Sequence, residues 1–324
     1  MIVFYTFDVP ENYNQSNSIL MLSLSIYTVL RELGSTVDEI LIYSNHSAYL
    51  RTKLKIEDKR IVFKKIDKRF SKRIENSKLL FRFDGGFHDE NEHFRKIGGA
   101  FGTAHSRVYL FEKIFRTYRK DVLYLDYDTG IAKGGGEMAI DRMLHATFLT
   151  EPLTSYGIVQ DILSIYPKID KKDIPSYVNS YACRWNCGIV YIAHKEQNYK
   201  LLQDIKTFYF KLNRDFGFMQ SADEWAIGLA LFKNNRKPES TFKDSSFFVP
   251  GSQAFLHRNF EFASSPFIHY MDQKNLESDN IHWKEMLRIW NDFFDGLKEE
   301  PNFELWDYSN KKSNEYLWGR LELL

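Results

Sequence analysis

The sequence predicts an α/β domain followed by a helical C-terminal appendage, and three observations lead to this prediction. Short runs rich in Val, Ile, Leu and aromatic residues alternate with segments of helical periodicity. The first run starts at Ile2, and from about residue 280 aromatic residues are interleaved with Lys and Glu. With 324 residues and 44% hydrophobic content, the chain can bury one large core without disulfides. We expect one domain over residues 1–275 and an extension over 276–324.

The N-terminal third predicts parallel strands joined by a helix. Residues 2–7 are apolar or aromatic almost throughout, as in a central strand that is buried on both faces. Apolar residues in 16–33 recur at helical spacing, and Gly34 marks the end of the helix. Residues 39–43 and 60–63 form the next two strands. This β-α-β order predicts parallel pairing with a right-handed crossover.

The middle of the chain is less regular. Residues 64–104 are polar and contain two Gly-Gly pairs, which predicts loops and short helices with a mobile lid among them. A helix over 106–118 leads into a strand that ends at Asp126. Residues 133–136, Lys-Gly-Gly-Gly, predict a sharp turn, and a phosphate cradle of backbone amides is the alternative.

The second half predicts a strand at 188–192, helices near 199–212 and 222–232, and a short strand at 267–270. The tail from about residue 280 interleaves aromatic residues with Lys and Glu, in helices. Such helices usually pack on the parent domain, although a membrane interface or an oligomer contact would use the same residues.

Charge and cysteine content exclude some classes of protein. Lys and Arg total 44 against 43 for Asp and Glu, which does not suggest a general nucleic-acid binder. Residues 51–82 are locally basic, which predicts either a solvated face or a surface that attracts phosphate head groups or an anionic acceptor.

Cys183 and Cys187 are too few for a zinc site and are expected as buried, small apolar residues in a reducing compartment. Without a leader or a long apolar run, a cytoplasmic location is expected.

Asp126 and Asp128 follow the apolar run at 122–125 and are the strongest candidates for a functional site. Burying two carboxylates side by side is unfavourable, and a divalent cation would offset the cost. Strand alternation would place both side chains on one side and Tyr127 on the other, if strand geometry persists through Asp128. The alternative is a structural strand end in which one carboxylate points inward.

Three further polar groups fall where they can join this site, since ligands of open α/β sheets bind beyond the carboxyl ends of strands. Asn186 precedes a strand, Asp223 and Glu224 open a helix, and His269 ends a short strand. Taken singly, these residues are explained as a capping Asn, an acid pair at a helix N-terminus and a core histidine.

Taken in order, the motifs resemble the GT-A class of nucleotide-sugar glycosyltransferases, particularly glycosyltransferase family 8 and its bacterial relatives. The resemblance covers residues 2–274. It rests on Ile2-Val3-Phe4-Tyr5-Thr6-Phe7-Asp8, Ser106-Arg107-Val108, Val122-Leu123-Tyr124-Leu125-Asp126-Tyr127-Asp128, Asn186-Cys187-Gly188-Ile189-Val190, Asp223-Glu224 and His269-Tyr270. The chain departs from the family after Tyr270, where Met271-Asp272-Gln273-Lys274 lacks the usual glycine and Pro-Trp.

The resemblance implies a GT-A type single Rossmann-like domain with a mixed central sheet. It implies Mn²⁺ or Mg²⁺ held by Asp126, Asp128 and His269, which suits oxygen ligands with one imidazole. The donor-binding residues that it implies are Thr6, Asp8, Arg107, Asp126, Tyr127, Asp128, Asn186 and Gly188. The catalytic residues that it implies are Asp223, beside the sugar and the acceptor, Asn186, which lines the sugar, and Arg107, which contacts the donor sugar or its phosphates.

Three functions follow from these observations. The first is metal-dependent transfer of a hexose from a nucleotide sugar, expected to be a UDP-sugar, to a carbohydrate or lipid-linked glycan, with retention at the anomeric carbon. Peripheral membrane contact would fit a lipid-linked acceptor. The second is a magnesium phosphohydrolase of the haloacid dehalogenase type, which also uses Asp-x-Asp but normally continues Asp-Gly-Thr, unlike Asp128-Thr129-Gly130. The third is a non-catalytic relative that binds a nucleotide or a glycan.

Overall fold

The structure is a computed structural model and describes residues 1–7, 16–66, 79–83, 86–88, 106–152, 185–216, 218–219, 222–236, 239–240, 266–269 and 291–298. The strands are β1 (Ile2–Thr6), β2 (Glu39–Ser44), β3 (Ile61–Lys65), β4 (Leu79–Phe83), β5 (Gly86–His88), β6 (Val122–Leu125), β7 (Thr129–Ile131), β8 (Phe148–Pro152), β9 (Trp185–Ile192), β10 (Phe218–Met219), β11 (Glu239–Ser240) and β12 (Phe267–His269). The helices are α1 (Ser16–Leu33), α2 (Ser47–Lys53), α3 (106–118), α4 (Gly136–His145), α5 (Glu196–Phe216), α6 (Ala222–Lys233) and α7 (291–297).

A mixed sheet of seven strands forms the centre of the described chain, in the order β11-β8-β9-β6-β1-β2-β3. β1 pairs in parallel with β2 on one side and with β6 on the other, and β2 pairs in parallel with β3. β9 is antiparallel to both β6 and β8, which makes the sheet mixed. The predicted fold class and the predicted parallel pairing of the first strands are confirmed.

The sheet separates two apolar layers, and β1 contributes to both. Ile2 and Phe4 pack with residues of α3 and α5 in one layer, whereas Val3 and Tyr5 pack with α1 in the other. All five residues of β1 are buried, as predicted for a central strand. Because alternate residues of a strand face opposite sides, a continuous apolar run is what such a strand requires.

The prediction for residues 64–104 was wrong in part. Residues 79–83 and 86–88 form the antiparallel pair β4 and β5, and β10 adds to β4 in a small second sheet. Helix α2 was also absent from the prediction. β12 lies antiparallel to β7, with His269 opposite Thr129.

The triple glycine forms a turn into α4, and a glutamate occupies the start of that helix. The backbone amide of Gly136 donates to Oε2 of Glu32 at 3.3 Å, so an internal carboxylate lies where a phosphate cradle would hold its anion. A Cβ added to Gly136 would lie 2.1 Å from the Glu32 carbonyl oxygen, so the backbones of α1 and α4 meet here. The structure thus agrees with the predicted turn.

Part of the aromatic tail packs on the domain, as expected. Phe293 and Phe294 of α7 are buried, and the Phe293 ring meets Tyr27 of α1 edge-on with 5.5 Å between centroids. Asp292 forms ion pairs with Arg31, near the end of α1, and with Lys133, in the turn before α4. Among the described helices, none combines the length and the hydropathy needed to cross a bilayer. The domain boundary at residue 275 stays a prediction.

The described part of the basic segment makes internal contacts. The guanidinium of Arg60 donates through Nε and Nη2 to the two oxygens of Asp58, each at 2.9 Å, and through Nη1 to the Gly34 carbonyl at 2.6 Å. The hydrogen bonds from Arg60 lower the pKa of Asp58 to about 2. Arg51 lies over the Phe63 ring at 5.3 Å, at a groove of about 480 Å³ that none of the predicted site residues lines.

Gly136→Ala should destabilise the protein, because the new methyl group meets backbone rather than a side chain that can move. We expect the free energy of unfolding to fall by about 1–3 kcal/mol, the usual range for overpacking. Denaturant unfolding measures it. The matched control is Gly296→Ala in α7, where the nearest atom is the Tyr27 ring at 3.8 Å. The control should be neutral or stabilising by up to about 1 kcal/mol. Equal losses in both variants would contradict the prediction.

Candidate active site

Two of the predicted site residues, Thr6 and Asp126, lie where the strand order of the sheet reverses. The chain passes outward from β1 to β2 and β3, then returns to place β6 on the other side of β1. Thr6 is the last residue of β1, and Asp126 immediately follows β6. The carboxyl ends of two parallel strands at such a reversal form the usual ligand crevice of an open α/β sheet.

Arg107 of α3 is the centre of the site. Its Nη1 donates to Oδ1 and Oδ2 of Asp126 at 2.8 and 3.0 Å, and its Nε donates to Oδ2 of Asp223 at 2.6 Å. Its Nη2 pairs with the same Asp223 oxygen. Burial opposes the charge, yet the two carboxylates hold the pKa of Arg107 well above its usual value. The guanidinium therefore stays charged and joins the end of β6 to the start of α6.

Asp223 and Asp126 differ in their access to solvent. Asp223 is fully buried, and its Oδ1 accepts from the backbone amide of Glu224 at the start of α6. The Asp126 side chain remains 26% exposed while Arg107 holds it. A group that binds from the crevice can thus reach Asp126, and Asp223 serves as an internal anchor for the arginine.

Tyr124 is a further member of the site, and the sequence prediction missed it as a functional residue. Its hydroxyl bonds to Oδ1 of Asp126 and lies 3.1 Å from Oγ1 of Thr6 and 3.3 Å from Nη1 of Arg107. Burial and then the Asp126 charge raise the pKa of Tyr124 well above its usual value, so the phenol stays neutral. Tyr124 lies two residues before Asp126, and alternation along β6 was the signal that could have indicated it.

The extended geometry assumed for Asp126 to Asp128 does not persist. β6 ends at Leu125, and the chain turns so that the amide and the hydroxyl of Thr129 bond the Asp126 carbonyl at 3.1 and 2.6 Å. Strand alternation therefore does not place the Asp128 side chain. Tyr127 packs edge-on against Phe7 with 5.4 Å between centroids, so its ring belongs to the crevice wall at β1.

The backbone of β9 closes another side of the site. The Gly188 carbonyl accepts from the Asp126 amide at 2.7 Å. Beside it the β8–β9 ladder is irregular: Thr150 pairs with Val190, but Glu151 pairs with Asn186. Irregular ladders of this kind are common beside binding sites, where they re-aim side chains. Burial raises the pKa of the nearby Cys187 thiol, as does the charge of Asp223, so this residue is inert and not a nucleophile.

The charges of the described site would suit a hard divalent cation. Arg107 supplies one positive charge against the two carboxylates that it pairs with, those of Asp126 and Asp223, so these groups leave a net negative charge that a cation would offset. The β7–β12 pairing brings the backbone of His269 opposite Thr129, next to Asp128 in the chain. The described side chains alone do not group three His, Cys, Asp or Glu residues for one ion. Asp8 and the side chains of Asn186 and His269 lie outside the described residues, so the three-ligand set stays a prediction.

Comparison with known proteins adds evidence on the fold. No protein-family model and no curated protein sequence matches the chain. Among solved structures, galactosyltransferase LgtC in complex with donor and acceptor sugar analogs aligns over 93% of this chain and 98% of its own, with 16% identity and a TM-score of 0.51. The chain has a GT-A fold. An active-site mutant of LgtC gives the same identity and coverage with a TM-score of 0.54. Mouse xyloside xylosyltransferase 1, in its apo form, aligns over 86% of this chain and 100% of its own, with 11% identity and a TM-score of 0.48.

Asp223→Ala should destabilise this GT-A fold strongly, because it removes a partner of a buried guanidinium. We expect a loss of about 3 kcal/mol in the free energy of unfolding, typical of breaking a buried ion pair. The matched control is Asp38→Ala, which removes a half-exposed carboxylate paired with the half-exposed Lys120 and with the N-terminal amine. The control should cost about 1 kcal/mol or less. A loss of similar size in both variants would show that Asp223 does not anchor Arg107.

Proposed function

We propose that the chain is a metal-dependent glycosyltransferase that moves a hexose from a nucleotide sugar, a UDP-sugar in this proposal, to a glycan or lipid-linked glycan. The observation that carries the proposal is the Asp126 carboxylate, partly exposed and fixed by Arg107 at the strand-order reversal of a GT-A fold. The LgtC structure with this fold holds donor and acceptor sugar analogs.

The crevice has two neighbouring strand ends, one for the nucleoside of a nucleotide-sugar donor and one for its diphosphate. Thr6 lies at the carboxyl end of β1, where the nucleoside would bind, and Asp126 lies at the neighbouring end of β6, where the diphosphate would bind. The Thr6 and Asp126 side chains are joined through one hydroxyl group, that of Tyr124. One ligand that spans adjacent strand ends would therefore contact both.

Asp126, Asp128 and His269 would hold the metal, and Mn²⁺ is the proposed ion. A bound divalent cation supplies charge neutralisation for the leaving nucleoside diphosphate. The protein's own part is to keep the Asp126 carboxylate oriented at the crevice. Arg107 does this, since its Nη1 contacts both carboxylate oxygens.

Arg107 and Asp223 act in this proposal mainly by positioning. Three nitrogens of the Arg107 guanidinium bond to protein carboxylates, and the residue is 7% exposed. Because its nitrogens are bonded to protein carboxylates, such an arginine positions Asp126 more directly than it binds a ligand. Asp223 is fully buried in this arrangement and holds the arginine in turn. For a retaining transfer, an oxygen of the leaving diphosphate would accept the proton of the acceptor hydroxyl, so no protein nucleophile is needed.

Thermal unfolding with nucleoside diphosphates and nucleotide sugars, each with and without Mn²⁺, tests the proposal. We expect one nucleotide with Mn²⁺ to stabilise the protein by about 2.7 kcal/mol at 100 times its dissociation constant. Asp126→Asn should abolish this shift and the transfer of sugar. The matched control is Asp121→Asn, at the opposite end of β6, where the carboxylate accepts from Tyr191 and the His194 amide. The control should keep both the shift and the activity.

Three outcomes would contradict the proposal in different ways. Phosphate release from a generic phosphomonoester, without a nucleotide-dependent shift, would favour the phosphohydrolase. A shift with UDP and Mn²⁺ but neither hydrolysis nor transfer of any sugar would favour a non-catalytic binding protein. Transfer that survives Asp126→Asn would remove Asp126 from the mechanism.

A further inference from the structure

The hydrogen bonds of the buried Tyr124 hydroxyl indicate how the Asp126 carboxylate of the proposed metal site is oriented. The Tyr124 ring packs with Phe4 and Phe111, at 4.9 and 5.6 Å between centroids, and the residue is 1% exposed. A phenylalanine would fill the same apolar space without a polar atom to bury. A buried phenol oxygen is unfavourable unless it is hydrogen-bonded, so its bonds are what distinguish this side chain from its two neighbours.

The direction of those bonds follows from counting protons. A carboxylate only accepts, so the single proton of the Tyr124 hydroxyl goes to Oδ1 of Asp126. Thr6, at 3.1 Å, must then donate its own proton to the Tyr124 oxygen, and Nη1 of Arg107 donates to the same oxygen at 3.3 Å. The chain of donors runs from Thr6 through Tyr124 to Asp126.

We propose that Tyr124 is a positioning residue that sets the Asp126 carboxylate for metal binding and couples it to the nucleotide end of the crevice. The inference rests on the proposed function. Arg107 contacts both Asp126 oxygens, whereas the Tyr124 hydroxyl bonds to Oδ1, so Tyr124 distinguishes the two oxygens. A carboxylate held at one rotamer loses less conformational freedom when it binds an ion.

Tyr191 provides a matched control on the adjacent strand. Its hydroxyl donates to Oδ2 of Asp121 at 2.9 Å, also a tyrosine-to-aspartate bond, and Tyr191 is buried. Asp121 precedes β6 and lies at the opposite end of that strand from Asp126. Tyr191→Phe therefore removes a bond of the same kind without touching the site. Comparison of the two variants separates a general loss of stability from a loss of metal binding.

The experiment measures Mn²⁺ binding by the EPR signal of the free ion, in the presence of saturating UDP, on the full chain. Tyr124→Phe should weaken Mn²⁺ binding about 10-fold, as is usual when a group that orients a metal ligand is removed. Tyr191→Phe should leave Mn²⁺ binding unchanged, while both variants lower the unfolding midpoint without metal. Sugar transfer by Tyr124→Phe should recover as Mn²⁺ is raised.

Thr6 supplies a second test that keeps the Tyr124 ring intact. Thr6→Val removes the donor to the Tyr124 oxygen and should weaken Mn²⁺ binding, whereas Thr6→Ser keeps the hydroxyl and should restore it. Wild-type Mn²⁺ affinity in both Tyr124→Phe and Thr6→Val would overturn the inference and leave the proposed function standing. If the wild-type chain itself does not bind Mn²⁺ with UDP or any other nucleoside diphosphate, the proposed function fails and the inference with it.

Discussion

The arrangement of the site depends on the buried ion pairs of Arg107. One guanidinium joins Asp126, at the end of β6, to Asp223, at the start of α6, and so connects α3 and β6 to a helix far along the chain, since Arg107 and Asp223 are 116 residues apart. Removing charged groups from water is costly, and an apolar replacement of similar volume is often no less stable. The network is therefore better explained by the need to hold Asp126 in place than by stability alone.

The central sheet positions the residues of this ion-pair network. Because β1 lies between β2 and β6, the ends of β1 and β6 open into one crevice, and α3 carries Arg107 to it from the layer that covers Ile2 and Phe4. β12 then pairs with β7 directly after the Asp126 turn. Backbone pairing thus brings a segment from near residue 268 to the site, whose remaining residues come from earlier in the chain.

The sequence predicted the strands and helices whose burial shows as a pattern within their own residues. Continuous apolar runs at 2–7, 39–43 and 122–125 identified β1, β2 and β6, and helical spacing identified α1. β4, β5 and β7 were missed because short strands with glycine or charge nearby depend on partners distant in sequence. In the site, the sequence identified Asp126, Arg107 and Asp223 as candidate residues, but it did not indicate that they form ion pairs with one another. Tyr124 was missed because it also fits the apolar strand.

The contacts of the site also bear on when it can form as the chain is synthesised. The Arg107–Asp223 and Thr6–Tyr124 bonds span 116 and 118 residues. Contacts of such long range form late in folding, because a large loop must close before they contribute. A nascent chain still short of Asp223 has no complete anchor for Arg107. During translation, the partly made protein thus cannot complete the ion pairs of Arg107 until the start of α6 has been synthesised.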